Sequence, residues 1–385
     1  MKIPHLVLPF FCFLVFSGFT FRVTEDLGSL DWGKGEVPPL VIEQLMEGLT
    51  TSGENGAPVP ALASGWKAGR GAKHFIFFLR AGAKWSDGKP VCAQQFVDAW
   101  RRVQSPEFAS PYAHYLSDLQ SAHAVGCDRL EVRLKHSAAY FPALASHWVL
   151  APIRLDLLKK FGRNWLRPEN LAVTGPYVLD SWVAEKEFIL KRNPSYYGPS
   201  PNEERLKAVV VSDDATALNL FQSGALDWLR DVPFLEKERL AKTKEYSVYP
   251  AFVGYHLGFL MNGEAALDRN ARCALAQALD KRNIPLILKG GETAAGGILP
   301  PGLGGDAEAG KFDAARARQL WSSSRASKPG IPLELNYYAK DIHGVLVQWL
   351  QQEWKKNLGI DVRLIRTEPK TYWAQLLFHG GIYFR

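Results

Sequence analysis

Cysteine is scarce in this sequence: the 385 residues include four, Cys12, Cys92, Cys127 and Cys273. No two of them have the CxxC spacing of a zinc knuckle or a redox dithiol, so neither kind of site is supported. If processing removes Cys12, three remain, and an odd number argues against a disulfide framework. We therefore expect buried free thiols, with a single disulfide bridge as the less favoured alternative.

Long blocks of like charge are also missing. Lys and Arg number 46, Asp and Glu number 39, and the net charge of +7 is spread along the chain. This distribution argues against a nucleic-acid-binding arm, and we expect no nucleic acid partner. Hydrophobic residues make up 47% and aromatic residues 12% of the chain. Such a composition excludes disordered, collagen-like and coiled-coil proteins, and the length suggests two or three domains.

Recognisable catalytic motifs are absent as well. The sequence contains no HExxH or GxSxG motif, and the phosphate-loop-like stretches at 28–34 and 305–311 lack the Ser or Thr that would hold magnesium. The adjacent Asp213 and Asp214 could pair in acid–base chemistry, but at a strand-to-helix turn such residues more often cap the helix. The sequence therefore predicts no enzyme, no cofactor and no metal site. A hydrolase with a scattered site is the weaker alternative.

The N-terminus carries the one long apolar run. Residues 3–21 are almost wholly apolar and follow Lys2, as in a secretory signal peptide, so we expect residues 1–20 to be a signal peptide. The alternative is an uncleaved membrane anchor, which Pro4 and Pro9 within the run make less favourable. The residues before Cys12 are not the small ones that a lipoprotein site needs, so we expect no lipid anchor.

Hydrophobic periodicity predicts a mixture of strands and helices. The predicted strands are 21–23, 74–80, 130–134, 188–190, 209–211, 246–252 and 361–365, and the predicted helices are 96–103, 215–223, 271–279 and 342–356. The strand at 74–80 is apolar on both faces and the strand at 209–211 is apolar throughout, so we expect both strands to be fully buried. The elements show no repeat, and the chain is interpreted as mixed α/β with more than one lobe.

A series of short motifs follows along the chain. They are Ser29-Leu30-Asp31, Glu47-Gly48-Leu49, Pro60-Ala61-Leu62-Ala63 with Trp66, FFLRAGAKWSDGKPV at 77–91, Trp100-Arg101-Arg102, Ser110-Pro111-Tyr112-Ala113, Thr174-Gly175-Pro176-Tyr177, Arg192-Asn193-Pro194 with Tyr196-Tyr197, SGALD at 223–227 and ALAQALD at 274–280 with Arg282. Each motif is weak alone, but together and in this order the chain resembles the extracytoplasmic solute-binding proteins of peptide ABC importers. These are the oligopeptide-binding type of bacterial solute-binding family 5.

The resemblance implies an α/β, two-lobed periplasmic-binding-protein-like fold with an extra subdomain on lobe I. Residues 21–49 and 173–258 would form the core of lobe I, residues 50–172 its subdomain and residues 259–385 lobe II. The AKWSDG stretch is interpreted as scaffold, with Trp85 in the core. Cys92 stands where the family usually has a Thr helix cap, and a thiol in that place predicts a helix start weaker by about 1 kcal/mol.

The family's pattern continues beyond residue 385. Its next segment carries the Asp that binds the free amino group of a peptide, and this sequence shows no counterpart. We therefore expect lobe II and the return of the chain to lobe I to be incomplete, as in a C-terminally truncated member. Peptide binding should then be weaker than in a complete relative.

The function implied by the resemblance is capture of short peptides in a cleft between two lobes. The peptide main chain would pair with strand edges, and a monomeric periplasmic protein would hand the peptide to ABC permease subunits in the inner membrane. The implied ligand-binding residues, each with simple packing as the alternative, are Glu36, Val37, Tyr112, Tyr255, His256 and Arg385. The alternative functions are a remnant that no longer binds solute and a receptor for a non-peptide solute.

Overall fold

The computed structural model describes residues 18–24, 29–34, 38–53, 56–247, 257–260, 267–297, 299, 305, 311–328, 333–338, 341–368, 371–372 and 381–384. The chain divides into two compact units, Met1–Asp231 and Val232–Arg385. Each unit has a hydrophobic core of its own. The lobe and subdomain boundaries expected from the sequence stay a prediction.

Strands and helices alternate irregularly in the first unit. The strands are β1 (Phe19–Val23), β2 (Thr50–Ser52), β3 (Pro58–Pro60), β4 (Ala63–Ala68), β5 (His74–Leu79), β6 (Leu119–Val125), β7 (Arg129–Leu134), β8 (Tyr177–Val183), β9 (Glu187–Arg192) and β10 (Arg205–Val210). The helices are α1 (Pro39–Leu45), α2 (Ala93–Gln104), α3 (Phe141–Leu144), α4 (Leu155–Phe161) and α5 (Asp214–Gln222).

Two four-stranded sheets organise these elements. One has the strand order β1-β10-β9-β8, with β1 parallel to β10, and the other has the antiparallel order β4-β5-β7-β6. Phe75 and Phe77 on β5 are buried and pack against Phe141, at ring-centroid distances of 5.6 and 6.2 Å. Trp100 of α2 meets Phe141 edge-on and donates its Nε1 hydrogen to the Leu150 carbonyl at 2.9 Å. Aromatic packing therefore joins the second sheet to α2 and α3.

The predicted elements of the first unit are confirmed, but their burial differs in two places. On β5 only the face with Phe75, Phe77 and Leu79 is buried, and the opposite face is half-exposed. The strand predicted at 209–211 begins at Arg205, and its buried residues are Leu206 and Ala208 rather than the valines. Both expectations of full burial were wrong. Side chains alternate between the two faces of a strand, and in each of these strands only one face packs against the core.

The start of α5 confirms the capping interpretation of Asp213. Its Oδ1 accepts the Thr216 backbone N–H at 2.7 Å, while Asp214 pairs with the buried Arg22 at 2.6 Å. The helix ends before Gly224, which has a φ of +76°. A carboxylate at the N-cap and a glycine after the last turn are the ordinary boundaries of a helix.

The second unit contains the remaining described elements. They are α6 (Lys237–Leu240), β11 (Leu257–Leu260), α7 (Arg269–Gln277), α8 (Ile284–Leu288), α9 (Ala314–Ser322), β12 (Leu333–Tyr338), α10 (Asp341–Leu358), β13 (Val362–Thr367) and β14 (Gly381–Phe384). The strand order is β11-β14-β12-β13, with β12 parallel to both β13 and β14. Trp354 of α10 is fully buried and donates its Nε1 hydrogen to the Leu275 carbonyl at 2.9 Å. The predicted helices at 271–279 and 342–356 and the strand at 361–365 are confirmed. Most of the predicted strand at 246–252 lies outside the described residues.

Two motif glycines allow close contact between main-chain segments. A Cβ on Gly48 would lie 2.2 Å from the Ala145 carbonyl oxygen, and one on Gly175 would lie 2.5 Å from the Gln44 carbonyl oxygen. Neither contact can be relieved by moving a flexible side chain, because the opposing atoms belong to the backbone. The glycines of the Glu-Gly-Leu and Thr-Gly-Pro-Tyr motifs are therefore explained by packing.

A partly buried polar contact lies beside Gly48. The Glu47 carboxylate accepts hydrogen bonds from the hydroxyl groups of Tyr196 and Tyr197, at 2.6 and 2.7 Å. The guanidinium of Arg80 lies over the Tyr197 ring, 4.8 Å from its centroid. Burial raises the pKa of Glu47, and the two tyrosine hydroxyls oppose that change. Three motifs that are far apart in the sequence thus form one scaffold network.

Cys92 and Cys127 form a disulfide, with their Cα atoms 4.4 Å apart. The expectation of free thiols was wrong for this pair, whereas Cys273 is free and half-buried. Cys127 lies in the turn between β6 and β7, and its carbonyl accepts the Ala93 N–H at 2.8 Å. This backbone contact brings together two cysteines that are 35 residues apart, which no local spacing rule indicates.

The start of α2 is held by Gln95 as well as by the disulfide. The Gln95 Oε1 accepts the Cys92 backbone N–H at 2.8 Å and the Trp85 Nε1 hydrogen at 2.9 Å. Trp85 is fully buried, as the scaffold interpretation of AKWSDG predicts. The helix start therefore does not depend on a hydroxyl group at position 92.

Reduction of the disulfide should destabilise the first unit. A bridge across 35 residues restricts the unfolded chain and contributes about 2–4 kcal/mol to the free energy of unfolding. We expect a reductant to lower the Tm of the wild-type protein and of a Cys273→Ala control. A Cys92→Ala/Cys127→Ala variant should have the lower Tm with or without reductant. An unchanged wild-type Tm on reduction would contradict this role.

Gly48→Ala should destabilise the fold by about 1–3 kcal/mol, because the new methyl group overlaps a backbone carbonyl. Gly65→Ala on β4 is the matched control, since a Cβ there has nothing within 4 Å. Its effect should stay within about 0.5 kcal/mol. Urea unfolding of both variants, followed by circular dichroism, measures the difference. Equal midpoints for the two variants would show that the contact at Gly48 is not a packing constraint.

Candidate functional site

One of the six residues predicted to bind ligand lies within the described part of the chain. Tyr112 is half-buried and packs against the core of the first unit. The other five lie outside the described residues, and their roles stay predictions: Glu36, Val37, Tyr255, His256 and Arg385. Tyr112 is therefore the residue from which the candidate site is built.

A short 3-10 turn, Ala113–Leu116, places a second aromatic ring beside Tyr112. Side chains three residues apart in such a turn lie on the same side. The rings of Tyr112 and Tyr115 are accordingly stacked, with centroids 6.3 Å apart and an interplanar angle of 24°. Leu116 at the end of the turn is fully buried and anchors it to the core.

Residues from a distant segment complete the surroundings of Tyr112. The Trp148 ring meets the Tyr112 ring at 85°, with centroids 5.2 Å apart. His147 lies against Tyr115 and Trp148, at 4.6 Å in each case, and His114 lies 4.4 Å from Tyr115. We call Tyr112, His114, Tyr115, His147 and Trp148 the aromatic cluster.

The aromatic cluster is graded from buried to exposed. Trp148 is 8% exposed, Tyr112, Tyr115 and His147 are half-buried, and His114 is exposed. Aromatic faces of this kind can pack against apolar or aromatic parts of a ligand, while tyrosine hydroxyl and imidazole groups supply hydrogen bonds. The arrangement is suited to binding.

The described residues hold neither a metal-binding group nor a membrane-spanning helix. Within those residues, no three or more His, Cys, Asp or Glu side chains are grouped so as to hold a metal ion. The described helices are all too short or too polar to cross a bilayer.

Hydrogen bonds define the protonation of the two histidines. The Val149 backbone N–H donates to His147 Nδ1 at 3.2 Å, so this nitrogen carries no proton. His114 Nδ1 lies 3.0 Å from the Pro111 carbonyl oxygen, so this nitrogen is the donor. Burial, and secondarily the nearby His114, lower the pKa of His147 below its ordinary value. His147 is therefore neutral near pH 7 and helps to hold the turn that carries Trp148.

The sequence predicted a binding role for Tyr112, which stays a prediction, and gave no indication of the rest of the aromatic cluster. The spacing of Tyr112 and Tyr115 could have indicated their stacking, given a turn at that point. No sequence signal links them to His147 and Trp148, which lie on a segment more than thirty residues further along the chain. That segment is held by the Leu49 N–H, which donates to the Ala145 carbonyl at 3.1 Å.

Acidification should destabilise the first unit through His147. The pKa of His147 is lowered in the folded state, so the unfolded chain binds more protons than the folded one. The stability that His147 contributes is therefore fully present above about pH 6.5 and is lost as the pH falls through the folded-state pKa. The Tm should fall between pH 7.5 and pH 5.5. His147→Gln keeps an acceptor for Val149 but does not titrate, so its Tm should fall less. His136→Gln, at an exposed position, should behave like wild type, and identical pH profiles for all three proteins would refute the assignment.

Comparison with known proteins places these features in a family. The family model described as bacterial extracellular solute-binding proteins, family 5 middle, matches residues 57–380. The periplasmic oligopeptide-binding protein OppA of Salmonella typhimurium is 31% identical, with 90% of this chain and 70% of that protein aligned. The probable deoxycholate-binding periplasmic protein YgiS of Escherichia coli is 30% identical, with 92% of this chain and 72% of that protein aligned.

Solved structures agree with the sequence comparisons. The murein tripeptide binding protein MppA of Escherichia coli has a TM-score of 0.81 and 27% identity, covering 95% of this chain and 78% of that one. Haemophilus influenzae OppA, in complex with the peptide RPPGFSPFR, has a TM-score of 0.79 and 25% identity, covering 95% and 79%. The fold is the two-lobed α/β fold of periplasmic peptide-binding proteins, and the chain belongs to the bacterial extracellular solute-binding proteins of family 5.

Proposed function

We propose that this protein is the periplasmic binding component of an ABC importer, which captures short peptides and delivers them to permease subunits in the inner membrane. It acts by binding alone and changes no covalent bond of its ligand. Residues 1–20 serve as the signal for export. The observation that carries the proposal is the similarity to OppA along 90% of the chain.

Further support comes from what the relatives are named to bind. OppA proteins of Escherichia coli, Salmonella typhimurium and Haemophilus influenzae, 29–31% identical to this chain, are named as periplasmic oligopeptide-binding proteins. MppA of Escherichia coli is named as a periplasmic murein peptide-binding protein and is 28% identical. A peptide is thus the ligand class shared by most of the similar proteins named here.

The compartment is supported by the disulfide between Cys92 and Cys127. Disulfides form and persist in oxidising compartments such as the bacterial periplasm and are rare in the cytosol. The two cysteines lie on the scaffold rather than in the aromatic cluster, so the bridge serves stability. A structural disulfide therefore fits an exported protein.

The aromatic cluster supports a direct role for Tyr112 in binding. In the binding mode proposed here, hydrogen bonds to the main chain of the peptide supply affinity. The side chains of the peptide lie in pockets of the protein that discriminate little among different residues. Tyr112 is half-buried, stacks on Tyr115 and contacts the Trp148 ring at right angles. Its ring therefore offers a rigid face to a side chain of the peptide or to a peptide bond. Binding by Glu36, Val37, Tyr255, His256 and Arg385 is part of the same proposal and rests on the family resemblance.

A non-peptide solute is the second candidate ligand. The probable deoxycholate-binding protein YgiS is 30% identical to this chain, much as the OppA proteins are. The rigid apolar face of a bile acid can pack on aromatic rings as a peptide side chain does. Overall identity does not separate the two ligand classes, so a binding experiment has to include both.

Short peptides should raise the Tm of the purified 385-residue protein. A ligand that binds the folded state stabilises it by RT ln(1 + [L]/Kd), which is about 2.7 kcal/mol at a concentration one hundred times Kd. We expect a shift with a pool of di- to hexapeptides and none with deoxycholate. The reverse result would favour the second candidate. No shift with either probe would refute both functions.

Tyr112→Ala should weaken binding of a peptide from the active pool about tenfold, as measured by titration calorimetry, because a stacked aromatic contact contributes about 1.4 kcal/mol. Tyr140→Ala is the matched control, since it truncates an exposed tyrosine of the same unit. The control should keep the wild-type Kd. A Tyr112→Ala variant that binds as tightly as wild type would remove this residue from the site.

A further inference from the structure

The segment 29–34 is folded into a tight turn. The Ser29 hydroxyl accepts the Asp31 N–H at 3.0 Å, and the Asp31 carbonyl accepts the Lys34 N–H at 2.9 Å. Asp31 Oδ1 also accepts the Gly33 N–H at 3.3 Å. One carboxylate residue thus organises the turn through both its side chain and its main chain.

Arg102 on α2 holds this turn from the other side. Its guanidinium makes two parallel bonds to the Asp31 carboxylate, at 2.8 and 2.5 Å, and both side chains are largely buried, at 17% and 10% exposure. The same guanidinium lies over the Phe108 ring, 3.7 Å from its centroid. Such a two-pronged, stacked arrangement requires arginine, because lysine has neither the planar fork nor the stacking face.

Phe108 and Ser110 transmit this geometry to Tyr112. A Cβ on Gly33 would lie 3.1 Å from the Phe108 ring, so glycine and ring are in close contact. The buried Ser110 hydroxyl donates to the Gly33 carbonyl and accepts the Tyr112 backbone N–H at 3.2 Å. A single hydroxyl therefore links the turn to the backbone of Tyr112, using both its donor and its acceptor capacity.

We propose that Arg102 and Ser110 are positioning residues for Tyr112. Arg102 acts through Asp31 and the 29–34 turn, and Ser110 joins that turn to the Tyr112 main chain. Neither side chain touches the ligand. The expected effect on peptide affinity rests on the proposed function. The expected effect on the Tyr112 main chain does not, and it can be measured without a ligand.

The ligand-free measurement is hydrogen exchange at the Tyr112 amide. In the full-length protein, Ser110→Ala removes the acceptor of this amide, so exchange in the segment 110–113 should accelerate about tenfold, with a smaller acceleration in Arg102→Lys. Exchange in β5, which pairs with β4 on one side and β7 on the other, should not change and reports that the fold persists. Arg101→Lys, at the exposed neighbouring position on α2, is the matched control. Unchanged exchange at 110–113 in both variants would overturn the proposal.

The second measurement is a double-mutant cycle on peptide affinity. Ser110→Ala and Arg102→Lys should each raise the Kd of a bound peptide about three- to tenfold, and neither should raise it further in a Tyr112→Ala background. A general loss of stability would lower affinity equally in both backgrounds. Losses that simply add would therefore refute positioning through Tyr112, as would a wild-type Kd in both single variants. If exchange accelerates as expected but the wild-type protein binds no peptide, the positioning stands and the proposed function fails.

Discussion

The candidate site depends on two close contacts between glycine and neighbouring chain. Gly48 lies against the carbonyl of Ala145, which fixes the segment that carries His147 and Trp148. Gly33 lies against Phe108, which fixes the turn that Ser110 joins to Tyr112. Gly48 has no room for a Cβ beside the backbone of Ala145, and a Cβ on Gly33 would make a tight contact with the Phe108 ring.

The first unit combines this packing with covalent and polar restraints. The disulfide and Gln95 hold the start of α2, while Glu47 joins two tyrosines to the segment before Gly48. Polar groups that are partly buried lose water as hydrogen-bond partners, so the bonds they make within the protein favour one arrangement of the chain over others. The helix that carries Arg102 is thus anchored at its first turn by the same motif region that places Trp85 in the core.

This construction suits a receptor that binds without chemistry. A rigid aromatic face accepts different apolar groups, since stacking depends on shape and area more than on a specific donor or acceptor. The role proposed for Arg102 and Ser110 is to hold the Tyr112 ring of this face in position. The similarity of the chain to both peptide-binding and deoxycholate-binding relatives fits a scaffold whose ligand class depends on such local details.

The sequence by itself determined the order of most strands and helices, the capping role of Asp213 and the family. These depend on short-range periodicity, on cap chemistry and on motifs that can be read in order along one chain. The ligand-binding role of Tyr112 stays a prediction from the family resemblance. Local spacing could not indicate the contacts with His147 and Trp148, because the chain passes through β6, β7 and α3 before it reaches these two residues.

Tertiary structure alone decided which cysteines pair, which face of β5 is buried and what surrounds Tyr112. The disulfide forms because the turn between β6 and β7 packs on the start of α2, a contact between residues 35 apart. Burial on β5 follows from which side of the sheet receives Phe141 and Trp100. In each case the deciding interaction is between segments distant in sequence. Its energy depends on how closely the two segments pack, and no local sequence pattern specifies that packing.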